Sequence, residues 1–417
     1  MLKLYFCFPY HGVGGVSLLF LRLAEFLSER RLAECHLVDY VDGFMAKNLR
    51  APGVILEVYK DQGTPVVIPG GAIGIFQSMT PWSIFPGIHP DPASRIFFWN
   101  CYPFNLIPLF PGLRRTMQYR PAVARWILAT LLRTYRQKMR LMIDLMLEKH
   151  ALVFMDSTNV NTTCEYLGVS ICNPRYLPIP VPASGDRRAL LMKRDLKANG
   201  LRVVWVGRVV DFKFFILQRS LIELNRLAPR LNLDIQVTLV GSGEYRQALA
   251  GTVVNLHFLR CYFVDHVDPA DLDELLISNA DLLLAMGTSA LEGARLGIPT
   301  LLLDFSHGPV SAGYVFRWIF ERQGYTLGNT IFDRDYVSGN TSLEDRIGDL
   351  IGEGAEISLR CQQYFAENHE LSSVASKMLE VLEQTACTYG DMQRASLLGR
   401  GVFYSIFSAI RRRFLRF

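Results

Sequence analysis

Between Arg202 and Asp304 the chain alternates short apolar runs with helix-length segments, and each run ends on a glycine or a polar residue. Arg202 to Val206 leads into Gly207-Arg208, with Lys213 five residues further on. Ile235 to Val240 leads into Gly241-Ser242-Gly243-Glu244. Asp281 to Met286 leads into Gly287-Thr288-Ser289-Ala290-Leu291-Glu292, and Thr300 to Leu303 ends at Asp304. Strands that are apolar throughout and separated by helices predict a parallel sheet covered on both faces. Such sheets bind ligands beyond the carboxyl ends of their strands, where Gly207, Gly241 and Gly287 fall.

The residues at those ends suit a diphosphate. Arg208 offers a planar fork and Lys213 a point charge for the same pair of phosphates. Gly287-Thr288-Ser289 opens a helix, so amides, hydroxyls and the helix dipole meet an anion. Glu292, one turn in, is a short acceptor for two ribose hydroxyls. Plainer readings stand beside these. The two cations suit a solvated surface, and Thr288 or Ser289 suits a simple N-cap, with Glu292 closing a capping box.

The order of these features resembles the donor domain of GT-B glycosyltransferases, especially the retaining family 4 (glycosyl transferases group 1). That family runs strand, Gly-Arg, Lys, then Val-Gly-x-Gly, then "Ala-Asp … Leu-Glu-Ala … Gly-x-Pro". This chain has Gly207-Arg208…Lys213, Val240-Gly241-Ser242-Gly243 and Ala280-Asp281…Leu291-Glu292-Gly293-Ala294…Gly297-Ile298-Pro299. The resemblance implies that Arg208 and Lys213 grip the donor pyrophosphate and that Glu292 binds the ribose. One departure stands out. The family's sugar-contacting glutamate, eight positions before the ribose-binding one, is Leu284 here. The compact Met286-to-Glu292 block looks more like that of nucleotide-sugar 2-epimerases and some inverting GT-B enzymes.

The first half opens with a second Rossmann-like pattern. Leu2 to Phe8 reads as a strand, followed by His11-Gly12-Val13-Gly14-Gly15-Val16-Ser17 and an amphipathic helix through Glu29. Glycines let the backbone turn tightly or approach a ligand. Gly14 and Gly15 match the Gly-Gly loop with which GT-B enzymes touch donor phosphates. Further strands are expected at Glu34–Tyr40, Val54–Val58, Pro65–Ile68, Arg95–Cys101 and Ala151–Asp156, the last running into a helix to Gly168. Retaining relatives place a histidine after the fourth of these, where this chain has Asn100-Cys101-Tyr102. His11 is the alternative catalytic candidate, and Asp156 is either a second polar candidate or a helix cap. The proline-rich Pro174–Pro182 segment reads as the interdomain connection. The expected architecture is α/β: two Rossmann-like domains with parallel sheets facing each other across a cleft. Their bounds are 1–180 for the acceptor domain and 181–385 for the donor domain, with 386–417 a basic tail.

Charge is uneven. The chain carries +5 overall, but Gly112–Lys149 holds nine Lys/Arg against Asp144 and Glu148, net +7. The tail after Met392 holds six arginines and no acid, which leaves −8 for the rest. Basic charge gathered in two segments points to an anionic surface. In the tail, Phe403, Ile406, Phe407, Ile410, Phe414 and Phe417 share a helical face opposite Arg411, Arg412 and Arg416. That is the pattern of an interfacial helix, or of a terminal helix packing back on the first domain. Aromatic residues interleaved with arginines from Trp99 to Trp126 suit a membrane interface. No nucleic-acid motif accompanies them. No run is long enough to span a bilayer and no signal-peptide layout opens the chain. The eight cysteines lack CxxC spacing and read as reduced thiols rather than a metal site or disulfides.

The expectation is therefore a glycosyltransferase on the cytosolic face of a membrane. It moves a sugar from a nucleotide-diphosphate donor to a lipid-linked or surface-polysaccharide acceptor, with no cofactor and no metal. The rival readings are a nucleotide-sugar 2-epimerase and a catalytically inactive GT-B scaffold.

Overall fold

The computed structural model describes residues 1–12, 14–77, 84–107, 113–184, 196, 200–268, 270–331 and 341–398. The chain forms two compact units, one of residues 1–180 and 371–417 and one of residues 181–370.

In the first unit, β1 (Leu2–Cys7) runs into α1 (Gly15–Glu29), and β2 (Ala33–Asp39) is followed by α2 (Phe44–Asn48). Then come β3 (Ile55–Val58), β4 (Val66–Ile68), β5 (Ile73–Phe76), β6 (Ile88–Pro90) and β7 (Arg95–Asn100). Three helices, α3 (Leu113–Tyr119), α4 (Pro121–Ala129) and α5 (Arg133–Glu148), precede β8 (Leu152–Phe154) and α6 (Ser157–Leu167). Six strands pair in the order β3-β2-β1-β5-β7-β8, all parallel, while β4 and β6 form a separate pair. The main strands are apolar on both faces because helices cover both. Phe6, Phe97 and Trp99 lie in the core beneath α1, and Phe76, Phe98 and Phe154 lie in the core beneath α5.

The second unit repeats the plan with β9 (Leu201–Val206), β10 (Ile235–Val240), β11 (Leu259–Val264), β12 (Leu282–Ala285), β13 (Thr300–Leu302) and β14 (Arg317–Trp318). Their order is β11-β10-β9-β12-β13-β14, parallel except for β14. The helix Asp211–Leu231 connects β9 to β10, and Thr288–Arg295 connects β12 to β13. Strand order reverses between β9 and β12, and in the first unit between β1 and β5. Helices cross to opposite faces there, opening a crevice at the strand ends.

The expected boundary at residue 385 is corrected. The helix Leu371–Gln384 belongs to the first unit, where Val374, Ala375, Met378 and Leu382 enter the core under α1. Nor do residues 386–398 form a separate tail. Thr388 bridges Arg95, and Met392 and Leu397 are buried among α5 and β7 residues. The helical face assigned to Phe403–Phe417 lies outside the described residues. Among the described residues no helix is long and apolar enough to cross a membrane.

Candidate functional site

In the second unit the chain after β9 is pinned to the chain after β10. The Gly207 amide donates to the Val240 carbonyl (3.0 Å), Val209 to Ser242 (3.0 Å) and Tyr245 to Val209 (3.0 Å). The two turns meet backbone to backbone, which fixes their composition. A Cβ on Gly241 would lie 2.2 Å from the Gly207 carbonyl oxygen, and one on Gly243 would lie 2.4 Å from that of Val209. Both glycines also hold φ values, +128° and +153°, that side chains resist.

That turn delivers two cations. Arg208 is exposed, and Lys213, in the first turn of the helix Asp211–Leu231, is half-buried with its ammonium 5.8 Å from the Trp205 ring centre. Burial, with a further push from Arg208, holds the Lys213 ammonium below the usual lysine value. Neither side chain meets a carboxylate among the described residues. Withdrawing an ammonium from water without a counter-charge is costly, so this pair is suited to an anion brought from outside.

Gly287 provides the opposing edge. It follows β12, the neighbour of β9, and caps the helix Thr288–Arg295 at φ +66° with no side-chain cap. A Cβ there would meet nothing within 4 Å, so the turn faces open space. Thr288 is exposed, Ser289 is half-buried, and the first turn carries no acid. The capping-box alternative for Thr288 or Ser289 with Glu292 is thereby corrected, because Gly287 occupies the cap. Glu292 instead accepts from Arg295 Nε at 2.6 Å, and Arg295 also grips Asp273. This network fixes one Glu292 oxygen on the half-buried face of the helix. Leu284 lies inside β12 and is fully buried, so no side chain reaches a ligand from that position.

Two Asp-x-Asp spacings exist, Asp271–Asp273 and Asp333–Asp335. The first is unsuited to a metal because Arg295 holds Asp273, and the second lies outside the described residues. Among the described residues no group of three or more His, Cys, Asp or Glu is arranged to hold a metal ion. The described cysteines are all free: Cys7, Cys35, Cys361 and Cys387 are buried, while Cys172 is exposed.

In the first unit Asp39 organises the loop after β1. Buried at the end of β2, it accepts the amides of Tyr10 (2.9 Å), Tyr40 (2.9 Å), Met45 (2.8 Å) and Ala46 (3.2 Å). This holds His11 over the β2 end, stacked on Tyr40 at 4.1 Å with Nδ1 3.2 Å from Asp42. Gly14 caps α1 without a side-chain bond, and a Cβ on Gly15 would meet nothing within 4 Å. The α1 amides thus start beside β5, at the point of strand reversal.

Asp156 stands two residues past β8, an edge strand that β5 and β7 separate from β1, the strand that leads to His11. It caps α6 by accepting from Asn159 N at 2.9 Å, and burial pushes its carboxyl up to about 6. The cap reading therefore holds in the structure. A carboxyl raised in the folded state binds a proton there before it does unfolded. Its contribution to stability is present at low pH and lost as pH rises from about 4 to about 6. Asp156→Asn retains the cap and removes the buried charge. It should stabilise the protein at pH 7 by about 2 kcal/mol and flatten the pH dependence between those limits. Urea unfolding at pH 4 and pH 7 checks this; equal stabilities at both pH values in wild type would contradict it.

Sequence reasoning missed His307. It follows β13, the next strand after β12, and its Nδ1 lies 3.2 Å from Asp211, two residues before Lys213. The rule that flagged Gly207 and Gly287 applied equally to the residues after Leu303, but no cation or glycine pattern drew notice there.

Two doubly wound units, each with a loop of glycines at its strand reversal, make up the GT-B fold of glycosyltransferases. One solved structure shares this fold. The chain is similar to a glycosyltransferase from Rickettsia africae, with a TM-score of 0.52 at 12% identity, covering 92% of this chain and 98% of that one. It is also similar to WaaG, a glycosyltransferase involved in lipopolysaccharide biosynthesis (TM-score 0.46, 14% identity, 91% and 99% covered). A third likeness is the N-terminal domain of Candida albicans trehalose-6-phosphate phosphatase (0.47, 13%, 92% and 97%). No protein-family model matches the sequence, and no curated protein does.

Proposed function

We propose that this chain is a glycosyltransferase that takes a sugar from a nucleotide-diphosphate donor. The observation that carries the proposal is the pair Arg208 and Lys213, two cations that meet no carboxylate among the described residues, at the strand reversal of the second unit. Opposite them stands the uncapped helix end at Gly287. Donors aimed at a departing diphosphate stabilise the charge that develops as the glycosidic bond breaks. Arg208 and Lys213, with the amides of Gly287, Thr288 and Ser289, supply that charge, so the chemistry needs no metal. Glu292 accepts the ribose hydroxyls, and the loops at Gly207 and Gly241 let backbone approach the nucleotide. Within the first unit, Gly14 and Gly15 at the start of α1 are the proposed phosphate-approaching glycines, and His11 is the proposed catalytic residue.

A second reading, a nucleotide-sugar 2-epimerase, is favoured by the short Met286–Gly287 turn and by Leu284 in place of a sugar-contacting glutamate. Incubation with nucleotide sugars separates the two. An epimerase converts its sugar nucleotide without an acceptor, a transferase only with one, and an inactive scaffold in neither case. Epimer formation in the absence of acceptor would overturn the transferase assignment.

The acceptor in this proposal is a lipid-linked or surface glycan, reached at an anionic membrane face. Support comes from α3 to α5. Trp126 is 59% exposed, Leu131 71% and Leu141 62%, three large apolar side chains within one segment. In the same segment Arg115, Arg120, Arg133 and Arg140 are exposed and make no ion pair among the described residues. Apolar side chains beside unpaired arginines suit acyl chains beneath anionic headgroups, at about 1 kcal/mol per basic residue near the surface. The double variant Arg120→Glu, Arg133→Glu should sediment with anionic vesicles at least tenfold less than wild type and bind sugar nucleotide normally. High salt should weaken wild-type sedimentation by screening. If the double variant pellets fully, this face is not the membrane contact; a chain lacking 401–417 then tests the tail.

A further inference from the structure

We infer that His307, oriented by Asp211, is a further phosphate-binding residue of the nucleotide-sugar site, a third positive group beside Arg208 and Lys213. The inference rests on the donor-site assignment above.

Three strand ends in a row bear on it. Arg208 follows β9, Gly287 follows β12 and His307 follows β13, and these strands are neighbours in the sheet. The loop after β13 does not lie over its own strand. It reaches across to the Arg208–Lys213 turn, where Ser306 N donates to the Phe212 carbonyl at 2.9 Å. The Phe212 ring packs against both Phe305 (6.0 Å) and His307 (6.2 Å). Within its own loop the Ser306 hydroxyl accepts from Gly308 N at 3.2 Å. The imidazole is thus held by backbone, ring and carboxylate contacts to the very turn that presents the two cations. It keeps 24% of its side-chain surface exposed.

Asp211 sets the ring's orientation. Its carboxylate lies in the first turn of the helix, where the dipole favours it, and 3.2 Å from His307 Nδ1. A carboxylate on one imidazole nitrogen fixes the orientation of the ring. An imidazolium so placed adds charge where the diphosphate sits. The charged groups on the elements packed around it are Asp211 and Lys213 on the helix and Arg208 on the turn before it. On its own loop there is Asp304, paired with Arg322. This proximity also explains why the helix opens with an acid two residues before a lysine directed at an anion: Asp211 serves the histidine.

The test is calorimetric titration with UDP-glucose, UDP-N-acetylglucosamine and GDP-mannose between pH 5.5 and pH 8.5. Their diphosphate diesters do not titrate in this range, so the slope belongs to the protein. Wild type should bind its preferred donor about tenfold more weakly at the upper pH, as a charge-assisted contact is lost. His307→Gln should bind as weakly at every pH as wild type does at pH 8.5. Asp211→Asn should fall between the two, and circular dichroism should report both variants folded. Arg208→Ala should bind more weakly yet keep the wild-type slope. If His307→Gln keeps wild-type affinity and slope while Arg208→Ala loses affinity, the inference fails and the donor site stands. If wild type binds none of these donors, nor an ADP- or dTDP-sugar, at any pH, the donor-site assignment falls and this inference with it.

Discussion

Replacing Arg208 or Lys213 by alanine is expected to cost about 2–4 kcal/mol of transition-state stabilisation, a fall of roughly 30- to 1000-fold in sugar transfer. The magnitude follows from where the two groups sit. Lys213 is half-buried against Trp205 and meets no carboxylate among the described residues, so its interaction with a diphosphate is little screened by water. Arg208 is exposed, and solvent screens it more in the ground state; its planar fork still matches two phosphate oxygens. Lys213→Ala is therefore the more damaging of the two. It should also leave the fold intact or slightly more stable, because a half-buried unpaired ammonium is removed. Normal transfer kinetics in both variants would remove the donor site from this part of the chain.

The second large effect is structural. Asp304→Ala should destabilise the second unit by about 3–5 kcal/mol, because it leaves the buried Arg322 guanidinium without its partner. Asp304 is fully buried and does more than pair with Arg322. It accepts from Asn329 N at 2.8 Å, and its own amide donates to the Tyr314 hydroxyl at 3.0 Å. Asn329 in turn accepts from Phe305 N (2.9 Å), and Leu327 accepts from Gly287 N (2.7 Å). One carboxylate thus holds the 326–329 segment against the ends of β12 and β13, beside the uncapped helix. Denaturant unfolding, read with a probe in the second unit, should show the loss. Exchanging both partners, as in Asp304→Leu with Arg322→Met, should recover part of it, since no buried charge then stands alone. If Asp304→Ala matches wild type, the loop is held by something other than this pair.

The sheet of the second unit was legible because burial on both faces writes itself as unbroken apolar runs. Arg202–Val206 and Ile235–Val240 need no tertiary information to be read as strands. β11 was not legible. It is an edge strand with alternating exposure, and Arg260 interrupts its apolar run. β5 is central yet only four residues long, and Gly74 within it gives no strand signal. The reason for Gly74 appears only in the fold, where a Cβ would press to 2.9 Å from Ile68. The same holds for the helix Leu371–Gln384. Its periodicity announces a helix with an apolar face and says nothing about which core that face enters. Arg208, Lys213 and Gly287 were found because each chemistry is local, a charge or a glycine at a strand end. His307 depends on a loop crossing β12 to meet Asp211, a pairing 96 residues apart in sequence that no local pattern encodes.

The central claim is that the second unit binds a nucleotide sugar through Arg208 and Lys213. Thermal unfolding of wild type and Lys213→Ala against a panel of UDP-, GDP-, ADP- and dTDP-sugars tests it most directly. A ligand that binds only the folded state raises stability by mass action, about 2.7 kcal/mol at a hundredfold excess over Kd. One member of the panel should raise the wild-type midpoint in a concentration-dependent way, and the same sugar nucleotide should leave Lys213→Ala unmoved. A panel in which no donor shifts wild type, or in which Lys213→Ala shifts as far as wild type, would contradict the claim.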